Sequence, residues 1–96
     1  MSAYLVVETD IHDPQQYEHY KAAASTAIAQ AGGRYLARGG ELAVLEGDWR
    51  PNRLVLAQFD SLAATRAWYD SPAYQEARRL RAGAATMRMV AVAGAD

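Results

Sequence analysis

The stretch Arg53 to Asp60, "RLVLAQFD", decides how this chain folds. It is short, apolar and bounded by polar residues, which is the pattern of a β-strand. Successive strand side chains point to opposite faces, so Leu54 and Leu56 share one face while Val55, Ala57 and Phe59 share the other. Both faces are apolar. Helices from the same small chain can cover only one of them, so the other either meets a partner, most simply a second copy of the same sheet, or is a slightly apolar solvent face of the kind antiparallel sheets tolerate; the first is the expectation.

The flanking segments supply the helices. Downstream, Ser61 caps "LAATRAWYD". The Asp70-Ser71-Pro72 break restarts a helix as "AYQEARRLRAG", because proline disfavours a helical residue before it. Gly83 ends that piece, and "TMRMVAVAG" reads as the last strand. Upstream, "DWRPN" joins the strand to "ELAVLEG", which with "RYLAR" flanks Gly39-Gly40. That pair makes either a two-residue hairpin or a bulge within one longer bent strand. Further back, "HDPQQYEHYKAAASTAIAQAGG" carries full helix punctuation. Asp13 caps, Pro14 takes the first helical position, Gln16 completes a capping-box pattern, and Gly32 and Gly33 provide a left-handed stop. Tyr17, Tyr20, Ala24, Ala27, Ile28 and Ala31 recur at helical spacing and make one apolar face. The opening "AYLVVETD" (Ala3 to Asp10) is a strand with Leu5 and Val7 against Tyr4 and Val6. The order β-α-β(β)-β-α-β within 1–96 predicts a single ferredoxin-like α+β domain, an antiparallel sheet with helices on one face.

Composition removes several function classes. There is no cysteine, so disulfides, thiolate nucleophiles, iron–sulfur clusters and cysteine-ligated zinc are out. A net charge of -1 provides no global field for nucleic acid or anionic lipid, and "EARRLR" with Arg88 is read as a solvated helix face, with Arg81 the member to turn inward. No apolar run approaches the roughly 20 residues of a membrane span, and "MSAYLVVETD" is not a signal peptide. A cytoplasmic location is the expectation. Tyr17 and Lys21 share the Tyr-x-x-x-Lys spacing of short-chain dehydrogenases, but no glycine-rich phosphate turn accompanies them. His12 with Asp10 and Asp13 is too weak a donor set to assign a metal, and no histidine suits a haem axial position. No cofactor is expected.

The blocks "DPQQYEHY", "GGRYLARGG", "LEGDWRPNRLVLAQF", "AWYDSPAYQEARRLR" and "VAGAD" resemble, in this order and over essentially the whole chain, the domain-of-unknown-function 1330 family of small bacterial proteins. The resemblance implies a dimeric α/β barrel of ferredoxin-like type, with two sheets packed face to face. The wider superfamily includes cofactor-free monooxygenases acting on polyketides, a lactone isomerase, haem-dependent chlorite-degrading enzymes and stress-responsive barrels, whereas the family itself carries no established reaction. Where its pattern leads one to expect an acid in the third strand, this chain has Gln58. That removes one candidate carboxylate base.

Six residues stand out as candidates for a small-molecule pocket between sheet and helices: Arg38, Glu46, Trp49, Arg53, Tyr69 and Tyr74. If Gly47 pairs with Arg53 across the five-residue loop, Glu46 and Leu54 share one face and Arg53 the other. An arginine beside an aromatic holds a carboxylate or enolate oxygen, and tyrosine hydroxyls supply weak acids or donors. The plain structural alternative makes Glu46 and Arg53 an ion pair and packs Trp49 on a helix or a second subunit. Trp68, Tyr17 and Tyr20 are read as core, Ser71 as a helix cap and His19 as exposed. No catalytic residue is assigned. The expected function is a homodimer binding a small anionic or oxygen-rich organic molecule, with cofactor-free oxygenation or isomerisation as the compatible chemistries. The alternative is a non-catalytic structural or stress-associated homodimer with no open pocket.

Overall fold

A computed structural model describes residues 1–96. Strand β1 (Ala3–Ile11) leads into helix α1 (Pro14–Gln30), strands β2 (Arg34–Arg38) and β3 (Leu54–Phe59), helices α2 (Leu62–Asp70) and α3 (Pro72–Leu80), and strand β4 (Ala85–Ala93). The strands form one antiparallel sheet in the order β2-β3-β1-β4, the ferredoxin-like α+β arrangement.

Local chemistry explains the helix limits. Asp13 Oδ1 accepts the Gln16 backbone N–H at 3.2 Å, and Pro14 occupies the first turn, where its missing N–H costs nothing. The reciprocal half of the expected capping box is absent. The Gln16 side chain donates instead to the Leu80 carbonyl at 2.9 Å, and the Asp13 N–H goes to the Ala84 carbonyl at 3.1 Å. The start of α1 is thereby tied to the end of α3. Ser61 and Ser71 accept the N–H groups of Ala64 and Tyr74, capping α2 and α3. Of the two glycines after α1, only Gly32 is left-handed, at φ 79. Gly33 is needed for a different reason: a Cβ there would lie 2.7 Å from the Phe59 ring.

The helices cover the face carrying Leu5, Val7, Val55, Ala57 and Phe59, which are buried against Tyr17, Tyr20, Ile28, Trp68 and Tyr74. Each large side chain so buried contributes about 1.5–3 kcal/mol. The opposite face stays open. Val90 is 65% exposed, Val92 56% and Leu36 47%, with Val6, Leu54 and Leu56 half-buried beside them.

The link between β2 and β3 departs from the sequence expectation. "ELAVLEG" forms no strand, and Gly39-Gly40 is neither a two-residue hairpin nor a bulge in a longer strand. The Gly39 N–H reaches the Leu54 carbonyl at 2.9 Å, and residues 40–52 then cross with no backbone–backbone hydrogen bond. Gly47 does not pair with Arg53. The reason is that β2 lies along β3, with Arg38 opposite Val55, and β1 along its other side, so β3 has no free edge for a further strand. A register irregularity does occur, but between Tyr35 and Ala37. No helix is long and apolar enough to cross a membrane.

Candidate functional site

The inner stripe of β1 ends in a polar residue: Leu5, Val7 and then Thr9, which is 1% exposed. Above it, between α1 and the sheet, lies a cavity of about 30 Å³, lined in part by Thr9, Tyr17, Tyr20, Arg38, Arg53 and Trp68. Three buried side-chain atoms of the chain lack a hydrogen-bond partner, Thr9 Oγ1, Arg53 Nε and Trp68 Nε1. All three residues line this cavity. Buried polar groups are normally satisfied, and leaving one unpaired costs about 1–3 kcal/mol. Three residues carrying such atoms therefore line one cavity, where water or a ligand oxygen can satisfy them.

The mouth is cationic. Lys21, Arg38 and Arg53 line it, and no aspartate or glutamate does. Lys21 is paired with Glu18 at 3.1 Å, while neither arginine makes an ion pair. Arg38 is held by its neighbours, donating to Ser25 Oγ at 2.7 Å and stacking over Tyr35 at 4.3 Å. Arg53 lies over the Tyr17 ring at 5.8 Å, with its guanidinium against Gly39. Its backbone is anchored by the Thr9 N–H, which donates to the Arg53 carbonyl at 3.0 Å. Both forks are therefore positioned but not neutralised, the state in which arginine holds a carboxylate.

A second, open groove of about 600 Å³ lies between α2 and β4 and includes Tyr69, Arg81 and Met89. Tyr74 is buried behind it. Its hydroxyl is 2.8 Å from the Tyr20 hydroxyl and accepts from Arg81 Nη1 at 3.2 Å. Burial pushes the Tyr20 phenol well above its ordinary range, with repulsion from Tyr74 next, and burial likewise raises Tyr74. Both phenols are neutral donors at physiological pH. With no carboxylate on the cavity wall, the site can bind and polarise an anion but holds no strong base.

The six residues proposed from sequence divide among five places. Arg38 and Arg53 meet at the cavity mouth, Tyr69 lines the groove, and Tyr74 belongs to the buried network. Trp49 lies on the opposite side of the sheet, 53% exposed, its Nε1 donating to Glu8 Oε2 at 3.3 Å beside the Glu8–Arg88 pair. Glu46 is exposed in the β2–β3 link and makes no ion pair with Arg53. Sequence reasoning missed Thr9, whose position in the alternation of β1 was a legible signal, and the cavity-facing role of Trp68. The acids around His12 also separate: His12 Nε2 meets Thr86 Oγ1 at 2.9 Å, Asp13 caps α1, and Asp10 accepts from Asn52.

The chain belongs to the family described as a domain of unknown function, DUF1330, which matches residues 2–95. No curated protein matches it. Among solved structures, it is similar to RPA0582, a protein of unknown function from Rhodopseudomonas palustris, at 18% identity and a TM-score of 0.76, covering 99% of this chain and 83% of that one. It is also similar to a dimeric ferredoxin-like protein of unknown function from Thermobifida fusca, at 24% identity and TM-score 0.68, covering 98% and 92%. A third is SnoaB, a cofactor-independent oxygenase from Streptomyces nogalater, at 14% identity and TM-score 0.70, covering 99% and 94%. At these identities the likeness is one of fold.

Proposed function

We propose that this DUF1330 chain is a homodimer, formed through the open faces of two sheets, that binds a small organic anion between α1 and the sheet. The observation that carries the binding site is that Thr9, Arg53 and Trp68, each with an unpartnered buried polar atom, all line one cavity beside Lys21 and Arg38. Arg53 takes the anionic oxygen, Arg38 and Lys21 add field, and the neutral Tyr20 hydroxyl is a further donor. The exposed Leu36, Val90 and Val92 support the dimer, as does the dimeric description of the Thermobifida fusca protein. An arginine that stabilises an enolate already ionised in solution, on a wall with no carboxylate base, suits oxygenation of an acidic substrate better than isomerisation, which needs a base to move the proton. SnoaB, on the same fold, is described as such an oxygenase.

A second reading is favoured by the cavity's size, since about 30 Å³ holds a water or two. In that reading the protein is a structural dimer and water satisfies the three atoms. NMR titration with acetate, on the wild type and Arg53→Met, separates the two. A charged hydrogen bond is worth about 1.5–3 kcal/mol, so the variant should bind acetate roughly ten- to a hundred-fold more weakly while its Tm stays close to wild type. A large loss of Tm with no acetate binding in either protein would establish the structural reading.

A further inference from the structure

The inner cavity and the open groove share four lining residues, Leu5, Trp68, Met87 and Met89. A single layer of side chains therefore separates a polar-cornered space of about 30 Å³ from a groove of about 600 Å³ that is apolar along β4 and Trp68 and polar at Thr65, Arg66, Asp70 and Arg81. Two of the four are methionines, unbranched and easily re-aimed. Their sulfurs face polar groups, Met87 Sδ the Arg81 guanidinium and Met89 Sδ the Tyr74 hydroxyl at 3.9 Å, and a thioether is only a weak acceptor.

Resting on the reading that an anion binds at Arg53, we infer that Met87 and Met89 form a gate. When they swing aside, cavity and groove become one site for an organic acid with an elongated apolar body. The register gives its length. Arg53 is bonded to Thr9, and Thr9 lies opposite Met87, so one row crosses β3, β1 and β4. Two strand spacings of about 4.8 Å make that row roughly 10 Å long. This is the span of two fused rings bearing a carboxylate. The anionic end sits on Arg53 over Thr9, the body passes the displaced Met87, and the far end lies in the groove against Tyr69. Arg81 loses only a thioether contact when the gate opens, which keeps opening cheap.

The chain has three methionines, Met1, Met87 and Met89, so isotope-labelled methionine methyl groups report the gate directly by NMR. The probes are 2-naphthoate and acetate. Naphthoate should shift the Met87 and Met89 methyl signals, compete with acetate, and weaken roughly tenfold or more in Arg53→Met. Acetate, confined to the inner cavity that both methionines also line, should shift the two methyl signals less than naphthoate does. Met87→Ile/Met89→Ile, stiff at χ1 and suited to a strand, should lose naphthoate while retaining acetate. Naphthoate binding that ignores Arg53→Met would place the ligand in the groove alone and overturn the gate, as would acetate binding without naphthoate binding. If neither anion depends on Arg53, the anion site itself fails. Should the double variant not fold, the Arg53→Met comparison with naphthoate still decides.

Discussion

Gly39 and Gly40 are neighbours with opposite predicted sensitivities. Gly39 has φ 72, in the left-handed region, and a Cβ there would approach the Arg53 Cζ to 2.7 Å. Gly40 has ordinary φ and open space around its added Cβ. Placing alanine in the left-handed region costs about 1–2 kcal/mol. The collision adds little to that, because its partner is the far end of a flexible side chain, which moves. Gly39→Ala should therefore lower Tm by about 4–8 °C for each kcal/mol in a domain of this size, while displacing the guanidinium from the cavity mouth. Gly40→Ala should stay within about 0.5 kcal/mol of wild type. Thermal unfolding followed by circular dichroism measures the first effect and acetate titration the second. The two effects separate in a double-mutant cycle. On an Arg53→Met background, Gly39→Ala should keep its loss of Tm but produce no further loss of acetate binding, since there is no guanidinium left to displace. If Gly39→Ala behaves like Gly40→Ala in both assays, the placement of Arg53 against Gly39 is wrong.

Three further outcomes are expected. Val90→Arg, at a position 65% exposed on the open face, should convert the dimer to monomer in native mass spectrometry; an unchanged dimer would move the interface elsewhere. Phe59→Ala removes a ring with no exposure that packs 5.4 Å from Trp68. It should cost about 3–5 kcal/mol in urea unfolding, and a loss below about 1 kcal/mol would mean the core lies elsewhere. Burial in the folded chain raises Tyr20 well above the ordinary 10.0 and raises Tyr74 as well. Above that pH the unfolded chain releases their protons and the native chain retains them. Stability is thus fully present below pH 10 and falls above it, by at most about 1.4 kcal/mol per pH unit for each tyrosine that the native chain keeps protonated. The Tyr74→Phe variant should show a shallower fall than wild type, and a wild-type stability that stays flat past pH 10 would contradict the buried pair.

What was legible in the sequence was what a few adjacent residues decide among themselves. Asp13, Ser61 and Ser71 cap helices through bonds to residues three positions on, so their spacing alone located α1, α2 and α3. The alternation of Val55, Ala57 and Phe59 with Leu54 and Leu56 gave the two faces of the sheet before any partner was known. "ELAVLEG" misled for the complementary reason. Its residues suit a strand, but a strand exists only beside a free edge, and β2 had already taken the edge of β3. That competition is between segments far from the local pattern. The same displacement scattered the candidate site: without the short hairpin, the β2–β3 link carries Trp49 across to Glu8 on the open face, while Arg53, fixed by the first bond of the β1–β3 ladder, stays beneath α1. Arg38 and Arg53 were recoverable because each flanks a strand that the sequence located, whereas Glu46 and Trp49 depended on a turn that it did not. Residues 40–52 leave this chain with apolar side chains in solvent, Leu45 at 93% exposure among them, and with no backbone–backbone hydrogen bonds. An unpaired, apolar, strand-compatible segment beside an open apolar sheet face is the combination that pairing between chains resolves. Within the single chain, the strand signal in "ELAVLEG" finds no partner.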